Sequence, residues 1–257
     1  MAVNEQNMRK HCQDTYGRDL IFAAQCGSIV HNLYRPDSDD DYRIVLAPNF
    51  HDLYTHEPFH EKKLTPQADY FFFNGVEFRD HLEKLNPNFL DTLYSSNIVY
   101  IHPELRWMIS NREDIARSNL RALHQSYQEL AVYLQNKIFL PGQNPDIVNK
   151  CLMHVARIDH VLTEYHRLGF DSYGDAIFCD DETRKKFLRL RNGLSVIDGN
   201  KLSDAEKSYI FYHHFRNITL MEKLYRAHNP TDIERFAGTL EESMYKIYLS
   251  QIQTSSQ

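Results

Sequence analysis

An acidic stretch between two apolar runs holds residues whose spacing is typical of metal chemistry. Asp39 and Asp41 stand at alternate positions just before the run YRIVLAP. Because alternate residues of a strand point to the same side, these two carboxylates can converge while Asp40 faces away. Two carboxylates on one side repel each other unless a cation lies between them, and hard divalent cations prefer oxygen ligands. The spacing therefore predicts a site for Mg²⁺ or Mn²⁺.

A Gly-Ser pair could bind phosphate beside the metal site. Gly27 and Ser28 follow the apolar run LIFAAQC. Glycine lets the backbone approach a phosphate closely, and successive amide hydrogens together with a serine hydroxyl can hold phosphate oxygens. We interpret the pair as an anion cradle that faces the metal site. An ordinary turn is the alternative interpretation.

A third carboxylate would complete a two-metal arrangement. Asp69 is the candidate, because it begins the apolar run DYFFF. If that run pairs with the strand that carries Asp41, the three acids meet. The alternative is that Asp69 only begins a strand and that the acidic stretch DSDDD is a solvated loop.

The composition is that of a globular protein. Of 257 residues, 42% are hydrophobic and 25% are charged, which excludes a disordered or collagen-like chain. Apolar runs alternate with turn residues up to about residue 75, and residues 48–68, which contain three prolines, are expected to be irregular. Helical spacing dominates afterwards, over 76–85, 86–95, 112–139, 146–168, 181–191, 204–228 and 231–252.

These patterns predict an α+β protein. A small mixed sheet with flanking helices, which carries the candidate site, is expected over residues 1–105, and a mostly helical domain over residues 106–257. Four polar residues are expected in the caps or first turns of the later helices: Asp146, Asp181, Ser203 and Thr231.

Charge and cysteine usage limit the partners and the compartment. The net charge of -6 argues against a protein that coats nucleic acid without regard to sequence, although a local basic groove remains compatible with it. The four cysteines form no CxxC pair and no zinc spacing, and no apolar run is long enough to span a membrane. We therefore expect reduced thiols and a cytoplasmic protein.

Taken together, these elements resemble the nucleotidyltransferase signature of the DNA polymerase beta superfamily. They are, in order, a strand, the Gly-Ser pair, a ten-residue gap, the alternate acids and a second strand. The segments SDDDYRIVL, ADYFFF and LEKLNPNFLDTLYS are more closely similar to the RNA-repair-associated nucleotidyltransferase family of bacteria and bacteriophages. Ile29 to Asn32 replace the residues usual in that family. Asn32 is expected to take the left-handed conformation that a glycine would supply.

The resemblance extends to Lys150, His154 and Arg157 within NKCLMHVARIDH, which match a Lys, His, Arg helix of that family. Their helical spacing lets one face present all three to a triphosphate; alternatively, Lys150 and Arg157 are solvated and His154 is a packing residue. The basic run that includes Arg184 and Arg191 has the same two interpretations, a solvated surface or a site for phosphate or RNA.

The resemblance implies transfer of a nucleoside monophosphate from an NTP such as ATP to an acceptor hydroxyl, with an RNA end as the first candidate. In this reading Asp39, Asp41 and Asp69 bind metal, and Gly27, Ser28, Lys150, His154 and Arg157 bind the nucleotide. Two alternatives remain: a protein or small molecule such as an aminoglycoside as the acceptor, or a regulatory protein that binds nucleotide without turnover.

Overall fold

The computed structural model describes residues 4–35, 38–65, 68–227 and 233–255. Within these residues the chain divides into two compact units. One comprises 4–30, 34–118 and 233–255 with the gaps just given, and the other comprises 31–33 and 119–227. The predicted class is confirmed: a mixed five-stranded sheet with helices is followed by a helical C-terminal region.

The first unit carries the sheet. Its elements in chain order are α1 (Glu5–Tyr16), β1 (Leu20–Cys26), β2 (Asp40–Leu46), α2 (Phe50–Thr55), β3 (His60–Leu64), β4 (Ala68–Asn74), α3 (Gly75–Glu83), α4 (Pro87–Leu90), β5 (Ile98–Ile101), α5 (Arg106–Ser110), α6 (Arg112–Arg117) and α12 (Ile233–Ser255). The helix α12 therefore belongs with the sheet although it lies last in the sequence.

The sheet order is β3-β4-β2-β1-β5. The strands β2 and β4 are parallel, and the pairs β1 with β2, β1 with β5 and β3 with β4 are antiparallel. All seven residues of β1 are buried, as expected for an apolar strand with a neighbour on each side. The parallel pair at the centre brings the starts of β2 and β4 to the same end of the sheet.

Helices cover both faces of this sheet. On one face, Met8 and Cys12 of α1 pack in a cluster with Tyr42, Ile44 and other residues of β2 and β4. On the other face, Phe22 stacks on Phe78 of α3. Alternate residues of each strand therefore enter two different cores, which fixes the direction in which the acidic residues point.

The second unit is helical. Its elements are α7 (Leu120–Ile138), α8 (Pro145–Arg167), α9 (Tyr173–Ile177), α10 (Asp181–Arg191) and α11 (Asp204–Arg226). The long amphipathic helices α7, α8 and α11 pack on one another, and α10 packs on α8. Tyr225 is fully buried, and its hydroxyl donates a hydrogen bond to the Leu162 carbonyl at 2.9 Å.

Two sequence predictions about the sheet region are wrong. The described residues of the range 48–68 are not irregular throughout, since they contain α2 and β3. A capping box between Asn49 and Asp52 begins α2 despite the neighbouring prolines. All five residues of β3 are exposed, so the strand has no hydrophobic pattern that would reveal it. The edge strand β5 was also missed.

The helix boundaries need smaller corrections. The helix predicted over 112–139 is two helices, because Asn119 caps a new helix by accepting a hydrogen bond from the Ala122 amide. Asp146 and Asp181 are confirmed as first-turn residues of α8 and α10, which are capped by Asn144 and Asp180. Ser203 is confirmed as the cap of α11. Thr231 lies outside the described residues.

Candidate functional site

Asp41 and Asp69 are direct neighbours, as register partners across the parallel strands β2 and β4. Neighbouring strands lie about 4.8 Å apart, and paired residues of a parallel ladder project to the same face. The strand pairing that the sequence analysis assumed is therefore present. It places two half-buried carboxylates side by side.

The other two aspartates of the acidic stretch lie differently. Asp39 is exposed and lies just before β2. The Asp40 carboxylate accepts a hydrogen bond from Gln25 Nε2 at 2.8 Å. Burial raises the pKa of Tyr42 to about 12, and the Asp40 carboxylate adds to that rise. Since Tyr42 belongs to the core beneath α1, Asp40 is on that face and Asp41 is on the opposite one, as the alternation predicts.

Gly27 brings the backbone against the Asp41 carboxylate. It begins a short 3-10 turn, Gly27–Ile29, directly after Cys26, which is the register partner of Asp41 in β1. Its φ is +76°, and a β-carbon at this position would lie 2.6 Å from Asp41 Oδ2. Ser28 is half-buried in the same turn. The Gly-Ser turn therefore lies next to Asp41, and only glycine fits there without displacing the carboxylate.

Lys62 of β3 forms an ion pair with Asp69 that sequence reasoning missed. The two side chains approach to 3.1 Å between Lys62 Nζ and Asp69 Oδ2. Residues 60–64 were expected to be irregular, so no strand was available to carry a lysine to this position. The signal that could have found it is the basic pair in HEKKL, only a few residues before the DYFFF run.

The donors around this turn suit a hard divalent cation. Among the residues that the structure describes, no three or more histidine, cysteine, aspartate or glutamate side chains form a group that could hold a metal ion. The structure brings Asp41 and Asp69 together and leaves Asp39 on the exposed approach to β2. Carboxylate oxygens are the donors that Mg²⁺ and Mn²⁺ prefer, and the Lys62 ammonium already stands as a cation on Asp69. The predicted meeting of three acids is therefore not found among the described residues. The pair of Asp41 and Asp69 still fits the expected metal, because Mg²⁺ is usually bound by one or two carboxylates together with substrate phosphates.

Cys26, the register partner of Asp41, is a buried thiol on which several charged groups act. Burial raises the pKa of the Cys26 thiol to about 11; the Arg43 guanidinium lowers that pKa, whereas Asp41 and Asp91 raise it further. Arg43 lies over the Phe89 ring, with 5.2 Å from Cζ to the centroid. Asp91 is buried and follows α4 in a 3-10 turn, where sequence reasoning assigned it no role.

In the second unit, Lys150, His154 and Arg157 all lie on α8. Lys150 is exposed and His154 is half-buried, whereas Arg157 is only 8% exposed. The interpretation of Arg157 as a solvated residue is therefore wrong. Its buried Nε has no hydrogen-bond partner among the described residues.

The charges of several basic groups act on His154. Burial holds the pKa of His154 well below its usual value, and four positively charged or protonatable groups lower it further. These groups are Arg157, Lys150, His31 and Arg191. Basic groups whose charges repel one another, together with a buried guanidinium nitrogen that has no hydrogen-bond partner among the described residues, suit an anion.

The basic residues of α10 make different kinds of contact. Lys186 pairs with Glu182 at 2.8 Å, and Arg189 donates to the Val196 carbonyl at 3.0 Å. Arg191 donates to the Asp146 carbonyl at 3.3 Å. Among these basic residues of α10, Arg191 is the one whose charge lowers the pKa of His154.

Asn32 has a φ of 56°, so the predicted left-handed conformation is confirmed. Its side-chain amide donates to the Cys179 carbonyl at 2.8 Å, within the second unit. This bond gives Asn32 a structural role that a glycine could not perform.

Comparison with known proteins gives no family for the chain, so any function must be argued from the residues described above. No protein-family model matches the sequence, and no curated protein matches it. In the described part of the chain, none of the helices has the length and apolar character needed to cross a membrane.

Proposed function

We propose that this protein is a metal-dependent nucleotidyltransferase, which moves a nucleoside monophosphate from an NTP to an acceptor hydroxyl. The observation that carries the proposal is the pairing of Asp41 with Asp69 across β2 and β4, beside the turn at Gly27. The resemblance of GS, SDDDYR and ADYFFF to the polymerase beta superfamily supports the same assignment.

Asp39, Asp41 and Asp69 would hold Mg²⁺ or Mn²⁺, which lowers the pKa of an acceptor hydroxyl and neutralises phosphate charge. The chain supplies carboxylate oxygens and fixes two of them through strand pairing. Because Gly27 has no side chain, the turn lies next to Asp41. We assign the turn amides and the Ser28 hydroxyl to hydrogen bonds with phosphate oxygens. The acceptor hydroxyl loses its proton to solvent, and its oxygen bonds to the α-phosphorus as the bond to the leaving pyrophosphate breaks.

The basic cluster on α8 supports phosphate binding by the second unit. An anion would satisfy the buried Nε of Arg157 and offset the repulsion among the neighbouring cations. In this unit we assign Lys150, His154 and Arg157 to phosphate binding, as the resemblance implies, with charge neutralisation by Lys150 and Arg157. Arg191 joins this assignment because its charge acts on the same histidine.

The acceptor is proposed to be an RNA end, on the resemblance alone. The net charge of -6 mildly favours a protein or small-molecule acceptor over a long polynucleotide. Four free, buried thiols support a reducing compartment, so we place the protein in the cytoplasm.

Transfer from an α-labelled NTP tests the proposal. The purified protein is incubated with Mg²⁺, the labelled NTP and separate pools of RNA, protein and an aminoglycoside. Label confined to one pool identifies the acceptor. Asp41→Asn and Asp69→Asn are each expected to lower transfer by roughly 10²-fold or more.

The matched control is Asp40→Asn. Its amide oxygen can still accept the hydrogen bond from Gln25, and it faces the other side of the sheet, so transfer should be retained. A fully active Asp41→Asn, Asp69→Asn double variant overturns the proposal. Saturable heat with Mg-ATP but no pyrophosphate release, under all acceptors, favours the regulatory nucleotide-binding protein instead.

A further inference from the structure

Lys62 lies where a cation at Asp69 would lie. Its ammonium is 3.1 Å from Asp69 Oδ2 and 4.9 Å from the centroid of the Phe71 ring. Lys62 is the register partner of Phe71, which lies on the same face of β4 as Asp69. These contacts hold one positive charge on the face of the sheet that carries the Asp41 and Asp69 pair.

We infer that Lys62 is a built-in counter-ion that a divalent cation displaces from Asp69, so that Lys62 sets the metal concentration at which the site fills. The inference rests on the proposed function, because it takes Asp69 as a metal ligand. In the absence of metal, the ammonium reduces the repulsion between the paired carboxylates. A divalent cation brings twice the charge and contacts both of them.

The ion pair is suited to displacement. The Lys62 side chain is 48% exposed, and a partly exposed lysine pair contributes little to stability. All of β3 is exposed at the edge of the sheet. The flexible lysine stem can therefore carry the ammonium into solvent while the backbone pairing of β3 with β4 stays intact.

Lys63 provides a matched control on the same strand. It is the register partner of Tyr70 and points to the opposite face. Its charge lowers the pKa of His11, which burial lowers first, and the His11 ring lies 5.6 Å from Phe72 in the core beneath α1. Lys62 and Lys63 are thus both charged, exposed residues of β3, but their side chains lie on opposite faces of the sheet.

The experiment is a Mn²⁺ titration of the nucleotide-free protein, with free Mn²⁺ measured by electron paramagnetic resonance at physiological salt. Lys62→Gln is expected to bind Mn²⁺ about two- to fivefold more tightly than the wild type, the range that a surface ion pair corresponds to. Lys63→Gln and the charge-preserving Lys62→Arg are expected to bind no more tightly than the wild type. Circular dichroism checks that all variants are folded.

The outcomes separate the two claims. An unchanged affinity in Lys62→Gln, or an equal gain in Lys62→Gln and Lys63→Gln, overturns the role of Lys62 while metal binding itself stands. Absence of Mn²⁺ binding in the wild type and in every variant overturns the metal site of the proposed function, and the inference with it.

Discussion

The α-carbon of Gly27 and the carboxylate of Asp41 are so close that a β-carbon on Gly27 would lie 2.6 Å from Asp41 Oδ2. Strand pairing causes this approach, because Asp41 is the register partner of Cys26, the residue before the turn. The phosphate-binding turn and the metal-binding carboxylate of the proposed function are therefore positioned by one antiparallel pair, β1 with β2. A change in one displaces the other.

Gly27→Ala is expected to lower the free energy of unfolding more than Gly199→Ala does. The two glycines have nearly the same left-handed φ, +76° and +75°. Each substitution therefore costs about 1–2 kcal/mol of backbone strain. Only at Gly27 does the new methyl group also meet a side chain, which adds about 1–3 kcal/mol of overpacking. Urea denaturation followed by circular dichroism measures both, and equal losses would contradict the close approach.

Arg157→Gln is expected to remove the stabilisation that pyrophosphate gives, without destabilising the protein in its absence. The substitution removes a buried charge whose Nε has no hydrogen-bond partner in the described chain. For the wild type, a pyrophosphate concentration about 100 times the dissociation constant should add about 2.7 kcal/mol of stability. Urea midpoints with and without pyrophosphate provide the measurement.

The control for this prediction is Lys185→Gln, which removes an exposed charge from α10 and should keep the pyrophosphate effect. If Arg157→Gln responds to pyrophosphate as the wild type does, Arg157 is not an anion ligand.

Acid is expected to destabilise the protein through His154. Burial and the charges of Arg157 and Lys150 hold the folded-state pKa of His154 well below its usual value. In the unfolded chain a histidine has a pKa of about 6.5, so below that pH the unfolded state binds more protons. Stability is therefore complete above about pH 6.5 and falls by up to about 1.4 kcal/mol per pH unit until the folded-state pKa is reached.

Urea midpoints measured between about pH 7.5 and 5 test this dependence on His154. His154→Gln should have a shallower decline than the wild type, whereas the exposed His213→Gln should follow the wild type. A decline that is equally steep in His154→Gln would assign the acid sensitivity to other groups.

The buried strands could be predicted from the sequence because their patterns are local. The run LIFAAQC is β1 to the residue, since it is apolar throughout and a Gly-Ser turn ends it. The run DYFFF lies within β4. The exposed strand β3 could not be predicted in this way, because backbone hydrogen bonds to β4 hold its polar residues at the edge.

The same distinction between local pattern and tertiary packing applies to the candidate site. The alternation of Asp40 and Asp41 follows from strand geometry, and the structure has it. The register of Asp41 with Asp69 depends on which strands pair, so the sequence offered it only as a hypothesis. The ion pair of Lys62 and the burial of Arg157 depend on tertiary packing. The basic pair in HEKKL is a local hint of the former, but no spacing in the sequence indicates the burial of Arg157.

The outermost strand of the sheet also has a consequence for association between molecules. An edge strand offers unpaired backbone groups to which another chain can add, and natural proteins discourage this with charged side chains. The strand β3 carries Glu61, Lys62 and Lys63 in succession. Docking a second strand there would bury these charges, so this border of the sheet is protected from aggregation by the same kind of side chain that neutralises Asp69.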